Sequence, residues 1–239
     1  MFPLPEFDAT VVVPTLNEEK RIETCLRAIK AQRFSGKFEI IVSDGMSEDN
    51  TVELAKRYAD KVVQEKIRSI AAERQRGALN AEGKIIVFTD ADSIADKNWL
   101  QEICSCFQDE KVAGAYGPVF LHDGGWLERK TTEIIIPLYL QKMALLGMHS
   151  PIGSNLAIRK DVFEKTGGFN IEMKTSEDLD LGKKIRSCGK FVYASKAIVR
   201  VSIRRVKKWG YPKYIFFHIS NAFKYYFTGK AHEKYENVR

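Results

Sequence analysis

Lys84-Ile85-Ile86-Val87-Phe88-Thr89-Asp90-Ala91-Asp92 carries an apolar run that ends in two carboxylates one residue apart. A short, continuous apolar run suits a strand buried on both faces of a parallel sheet. In open α/β sheets ligands bind beyond the carboxyl ends of the strands, so Asp90 and Asp92 stand where chemistry is expected. Together they can reach one cation, or a cation and a ribose hydroxyl. Hard oxygen ligands select Mg²⁺ or Mn²⁺. Such a cation would neutralise the charge on a departing diphosphate. The plainer alternative is that Asp-Ala-Asp only caps the helix that follows.

Outward from this run, short β-rich stretches alternate with helical periods. Residues 10–13 read as a buried strand. Asn17 is placed to cap a helix, with Glu18 and Glu19 in its first turn. Ile22, Cys25, Leu26 and Ile29 then follow at helical spacing. Residues 38–42 form a second strand, and Asp49 can cap a helix carrying Val52, Ala55 and Ala59. Residues 61–64 read as a short strand, 69–81 and 96–107 as helices, and 112–120 as extended chain. This alternation predicts an α/β fold with a mixed, mostly parallel central sheet and helices on both faces. After residue 120 the pattern changes to a long apolar helix over 126–146, kinked near Pro137. A turn-rich segment over 150–155 follows, then short elements to 203 and a last helix over 212–228. No repeat or linker separates these parts. The expected organisation is therefore 1–120 and 121–205 as two halves of one domain, followed by 206–239.

Of 239 residues, 44% are hydrophobic, enough for a sizeable core. No run of about 18 apolar residues predicts a membrane span, and no signal peptide is visible. The four cysteines form no CxxC pair. Zinc and a disulfide framework are not expected, and a reducing, cytoplasmic setting is. The net charge of +7 is uneven: residues 200–239 hold 10 Lys or Arg against 2 Asp or Glu. A basic, aromatic end suggests an anionic partner.

Three further segments complete a pattern. They are Val13-Pro14-Thr15-Leu16-Asn17-Glu18-Glu19, Val42-Ser43-Asp44-Gly45-Met46-Ser47 and Glu73-Arg74-Gln75-Arg76-Gly77. With the Asp-Ala-Asp run, the chain resembles the family 2 glycosyltransferases over about residues 9–203. The resemblance implies the GT-A type nucleotide-diphospho-sugar transferase fold and a donor such as a UDP- or GDP-sugar. It implies that Pro14, Thr15, Leu16 and Glu18 line the nucleotide pocket, beside Ala91, and that Asp44 meets the base, usually uracil. It also implies that Arg74 approaches the phosphates or base, that Asp90 serves ribose and metal, and that Asp92 ligates the metal. Gly45 and Gln75 depart from the family's common Asp and Asn, which bears on base identity. Taken singly, Asn17-Glu18 could start a helix, Asp44-Gly45 could be a turn, and Arg74 could be a solvated helix residue.

In the second half, the resemblance implies an acceptor floor at Gly153, Ser154 and Asn155. It implies a general base in the Glu177-Asp178 pair, with Asp178 the matching position. Ser176 is placed to cap that helix, and Leu181, Ile185 and Cys188 form its inner stripe. The mechanism implied is a single displacement with inversion, Asp178 taking the acceptor's proton. The alternative is that both acids only complement the helix dipole. The stretch where some relatives place a metal-binding histidine has none here; Arg204, Arg205, Lys207 or Lys208 can hold the diphosphate instead.

On the last helix Ile215, Phe216, Ile219, Ala222, Phe223, Tyr226 and Phe227 recur at helical spacing, flanked by Lys213, Lys224 and Lys230. This stripe suits a peripheral contact of 206–239 with a membrane, or packing on the core. A glycan or polyprenyl-linked acceptor fits the first reading. Nothing resembles a nucleic-acid-binding fold. Rival readings are a nucleotidyltransferase, disfavoured by the glycine-free turn after the first strand, and an inactive membrane scaffold, disfavoured by Asp90, Asp92 and Asp178 together.

Overall fold

The computed structural model describes residues 6–229 and 231–232. The described elements run β1 (Ala9–Thr15), α1 (Ile22–Lys30), β2 (Phe38–Asp44), α2 (Thr51–Ala55), β3 (Lys61–Gln64), α3 (Ile70–Leu79), β4 (Ile85–Phe88), β5 (Ile94–Ala95), α4 (Trp99–Ser105), β6 (Val112–Tyr116) and β7 (Val119–Leu121). There follow α5 (Trp126–Leu145), β8 (Leu156–Arg159), α6 (Lys160–Thr166), α7 (Glu177–Cys188), β9 (Lys190–Tyr193), β10 (Val199–Val201), α8 (Arg204–Trp209) and α9 (Tyr211–Thr228).

Seven strands form the main sheet in the order β3-β2-β1-β4-β8-β6-β9. The first four are parallel, so their carboxyl ends share one edge. β8 enters antiparallel between β4 and β6. Strands from both sides of residue 120 thus share one sheet. A second sheet, β5-β10-β7, stands beside it.

Side chains alternate across each strand. Val11, Val13 and Val87 enter one core cluster with Ile22, Leu26 and Trp99. Val12, Ile86 and Phe88 enter the other, with Ala71, Phe163 and Leu181. Each central strand is apolar on both faces because helices cover both. Gly77 lets α3 sit directly on β1: a Cβ there would lie 2.4 Å from Val12 Cγ1.

Several local expectations are corrected. Asn17 does not cap α1, and Glu18 and Glu19 are not in its first turn; the helix begins at Ile22 with Glu23 there. Asn17 instead takes a left-handed φ of 55°, which asparagine tolerates. The helix expected over 96–107 begins only at Trp99, because the Asp96 N–H is drawn to the Ile198 carbonyl, and it closes in a 3₁₀ turn over Cys106–Gln108. The extended run over 112–120 is two strands in different sheets. Ser176 lends no side-chain bond to the start of α7; it has φ 61° and its Oγ accepts from Asn221 instead. Cys188 is only half-buried beside the buried Leu181 and Ile185. α5 continues through Pro137 as one helix. The side chains of Arg205, Ile215, Ile219 and Ala222, together with Lys230, lie outside the described residues. All four cysteines are free thiols. Among the described residues no helix is long and apolar enough to cross a membrane.

Candidate active site

The parallel strands β1, β2 and β4 deliver Thr15, Asp44 and Thr89 to one rim. Pro14, Thr15, Leu16 and Ala91 are buried there. The loops after β1 and β2 lock together. The Asn17 N–H donates to Ser47 Oγ (2.8 Å), and Asn17 Oδ1 accepts the Glu48 N–H (2.8 Å). Asp44 has no exposed surface. Its two oxygens accept from the Ser47 N–H (2.9 Å) and hydroxyl (2.5 Å). Among the described residues the buried hydroxyls of Thr15 and Thr89 have no hydrogen-bond partner. Buried polar atoms are normally satisfied, so two orphans at one rim mark a place where a polar ligand belongs.

Arg74, on α3, is the centre of the arrangement and is 2% exposed. Its Nη2 donates to Asp90 Oδ1 (2.7 Å) and its Nη1 to Glu177 Oε1 (2.6 Å). Gly153 lies against the guanidinium: a Cβ there would fall 2.2 Å from Nη1. Burial works against the charge, but Asp90, Glu177 and Asp178 outweigh it and raise the Arg74 pKa. Arg74 therefore joins the rim at the strand ends to the start of α7. Glu177 is spent on this link and is buried.

Glu18 and Asp92 meet a second guanidinium. Arg204 Nη2 lies 2.5 Å from Glu18 Oε1 and 2.9 Å from Asp92 Oδ2. Its Nη1 donates to Glu18 Oε2 (3.2 Å), and Arg21 adds a longer contact of 3.4 Å. Burial, and next the neighbouring Asp90 charge, push the Asp92 carboxyl up to about 6, with Arg204 opposing. The site thus holds more negative charge than it neutralises. An oxygen-only donor set already gripping a cation fits Mg²⁺ or Mn²⁺. Among the described residues no three His, Cys, Asp or Glu side chains converge to hold a metal alone, so ligand oxygens would have to complete its shell.

Asp178 opens α7. Its Oδ2 accepts the Gly153 N–H (3.0 Å) and its Oδ1 the Leu179 N–H (2.8 Å). Burial, then the Glu177 charge beside it, push its carboxyl up to about 7, against the pull of Arg74. That is the range a general base needs. Ser154 and Asn155 are buried. The Asn155 carboxamide serves Trp99 Nε1 and the carbonyls of Pro118 and Ala197. It ties the two sheets together, with both Nδ2 protons and Oδ1 engaged inside the protein.

Sequence reading did not find the Gly153 cradle, Ser47 beneath Asp44, or Tyr225 donating to Asp180 at 2.8 Å. A glycine beside an arginine 79 positions away leaves no local signal. Ser47, three residues after an aspartate, stands at the spacing of a capping carboxylate and was findable. Lys207 and Lys208 point outward and are exposed.

The sequence profile of glycosyl transferase family 2 matches residues 10–167. The match includes the donor rim and stops short of Asp178. Glycosyltransferase AglE of Haloferax volcanii is 24% identical over 188 residues, covering 75% of this chain and 62% of AglE. The O-antigen chain rhamnosyltransferase WbaN of Salmonella anatum is 28% identical over 241 residues, covering 91% of this chain and 74% of WbaN. Among solved structures, the mannosyltransferase PcManGT of Pyrobaculum calidifontis, in complex with GDP-Man and Mn²⁺, superposes with a TM-score of 0.69. It is 21% identical, over 96% of this chain and 68% of that one. TarS 1–349 of S. aureus, in complex with UDP-GlcNAc, gives 0.64 at 20% identity, over 82% of this chain and 58% of that one. The architecture is the GT-A fold.

Proposed function

The chain belongs to glycosyl transferase family 2, and on that premise we propose that it moves a sugar from a nucleoside-diphosphate donor to a glycan or polyprenyl-linked acceptor by an inverting displacement. The observation that carries this reading is the convergence of Glu18 and Asp92 on one cation at the carboxyl edge of the sheet. Asp92 and Asp90 would hold Mg²⁺ or Mn²⁺, which supplies electrostatic stabilisation of the leaving diphosphate when bound. The proposed donor is UDP-linked, on the resemblance that assigns Asp44 to the base; the buried Asp44 carboxylate at the end of β2 supports this. Each of its oxygens already accepts from Ser47, and a carboxylate oxygen has a second lone pair to offer a base.

Arg204 is released from Asp92 and Glu18 as the donor binds, and its guanidinium turns to the diphosphate. Arg74 stays buried and orients Asp90 towards the ribose. Asp178, held by the Gly153 and Leu179 amides, accepts the proton of the acceptor hydroxyl on a carboxylate oxygen as that hydroxyl attacks. Gly153 and Ser154 shape the floor beneath the acceptor, while Asn155 and Glu177 position the floor and α7. Peripheral membrane contact through 206–239, at the cytoplasmic face, would bring a lipid-linked acceptor to this site.

Thermal shift with UDP and with GDP, each with and without Mn²⁺, tests the proposal. UDP should stabilise the protein only when Mn²⁺ is present, and Asp92→Ala should abolish that shift. Metal-independent binding that survives in Asp92→Ala would sink it.

A further inference from the structure

Two helices break the rule that a helix on a globular domain buries one apolar stripe. In α5 only Leu140 is buried, and Trp126, Leu127, Ile134, Ile135, Leu138 and Tyr139 are exposed. On α9, Phe216, Phe223, Tyr226 and Phe227 are exposed. Tyrosines tie the two helices at both ends. At the start of α9, the Tyr211 hydroxyl donates to Glu128 Oε1 at the start of α5 (2.7 Å). Near its end, the Tyr226 hydroxyl donates to the His149 carbonyl just beyond α5 (3.2 Å). The two helices are thus linked near both ends and run in the same direction. Exposed apolar surface of this extent marks a partner.

Charge identifies the partner. Residues 204–232 contain seven Lys or Arg and no Asp or Glu. Lys207, Lys208, Lys213 and Lys224 are exposed. Aromatic and apolar side chains among lysines match the interface of an anionic bilayer. A second copy of the chain is a poor occupant, because a symmetric pairing would press the same lysines together.

We propose that α5 and α9 together form a docking face for an anionic membrane, and that α9 couples this face to the acceptor side of the site. The second half rests on the transferase reading above; the docking face does not. The coupling is visible in the bonds from α9. Asn221 Nδ2 donates to Ser176 Oγ (2.7 Å), and Tyr225 donates to Asp180. The first holds the left-handed Ser176 turn before α7, and the second holds α7 itself two residues beyond Asp178. A cavity of about 200 Å³ lies between α7 and α9, lined by Leu179, Gly182, Arg186, Tyr225 and Tyr226. An acceptor carried on a lipid at the docking face would thus have its head beside the residue that follows Asp178.

Flotation of the full chain with phosphatidylcholine–phosphatidylglycerol vesicles, and with pure phosphatidylcholine, tests the face. The protein should float with the mixed vesicles and remain largely unbound with pure phosphatidylcholine. Lys213→Gln with Lys224→Gln should weaken partitioning roughly thirtyfold, about fivefold for each lysine lost. Ile134→Glu with Leu138→Glu, and separately Phe223→Glu with Phe227→Glu, should each abolish flotation. All four positions are exposed, and unchanged circular dichroism checks that each variant folds. Calorimetric binding of UDP with Mn²⁺ should stay at the wild-type value in every variant. Full chain that stays at the bottom with anionic vesicles overturns the proposal. So does an Ile134/Leu138 variant that floats normally, or a dimer in sedimentation that these substitutions dissociate. Flotation without any nucleotide binding would remove the transferase reading and leave the face standing.

Discussion

The rim at the ends of β1, β2 and β4 and the surface formed by α5 and α9 are built on opposite rules. At the rim, charged groups are buried: Glu18, Asp44, Arg74 and Glu177 are all less than 9% exposed. On α5 and α9 apolar groups are left outside, Phe227 at 79% and Trp126 at 69%. Buried charge is expensive and survives only when paired. A large contiguous exposed apolar surface is unusual in water and marks a place that something else covers. The rim is therefore organised for electrostatic work inside one chain, and the helical surface for a partner outside it. Arg74, Arg204 and α9 connect the two.

Removing Arg74 should break this contrast most severely. Arg74→Ala leaves Glu177 and Asp90 without their cation, and such a loss costs about 3–5 kcal/mol. Chemical denaturation should show that drop; a variant as stable as wild type would mean that Arg74 does not offset the burial of Glu177 and Asp90.

Asp178 gives the next effect. Its carboxyl titrates high because burial and Glu177 disfavour its charge, so below about pH 7 it is protonated and cannot accept a proton. The kcat should therefore fall as pH drops through neutrality. Asp178→Asn should lose about 10²–10⁴-fold of kcat and flatten that limb. The same raised pKa has a stability sign. Between the unfolded value of 3.8 and about 7 the folded state binds the extra proton, so its contribution to stability declines as pH rises through that window. An acidic limb that persists unchanged in Asp178→Asn would assign the titration elsewhere.

Arg204→Ala sharpens the comparison more gently. Without the guanidinium, Asp92 loses its paired cation and Glu18 keeps the longer contact with Arg21. Mn²⁺ should then bind more tightly in the absence of nucleotide, by about tenfold, the equivalent of ~1.4 kcal/mol, while UDP binds more weakly. Isothermal calorimetry distinguishes the two directions, and Mn²⁺ affinity that falls would show that Arg204 is not competing for the site. The smallest effect belongs to the other region. Phe227→Glu touches an exposed position and should change stability by no more than about 0.5 kcal/mol, read from urea melts, whatever it does to lipid binding.

Much of the framework of the rim was legible without coordinates. The run into Asp90 and Asp92 has one reading as a strand end, because apolar residues stop where carboxylates begin. The period of α1 placed Ile22, Cys25, Leu26 and Ile29 inward, and all four are buried. Asn17 misled because asparagine serves both as a cap and as a left-handed turn residue. Only its partner Ser47, 30 positions away, decides between them. For α9 the sequence left membrane and core both open, and the fold divides them residue by residue: Tyr225 and Asn221 turn inward, Phe216, Phe223 and Phe227 outward.

By itself, the order of residues determined where most strands and helices lie, that the sheet is mainly parallel, and that acids stand at strand ends. These are local facts, written in periods of two and 3.6. Tertiary structure alone decided that β8 enters antiparallel, that Arg74 reaches Glu177 across 103 positions, and that Arg204 reaches Glu18 across 186. Such pairs depend on how whole layers stack, and a contact between distant positions imprints no period on either of the segments that make it.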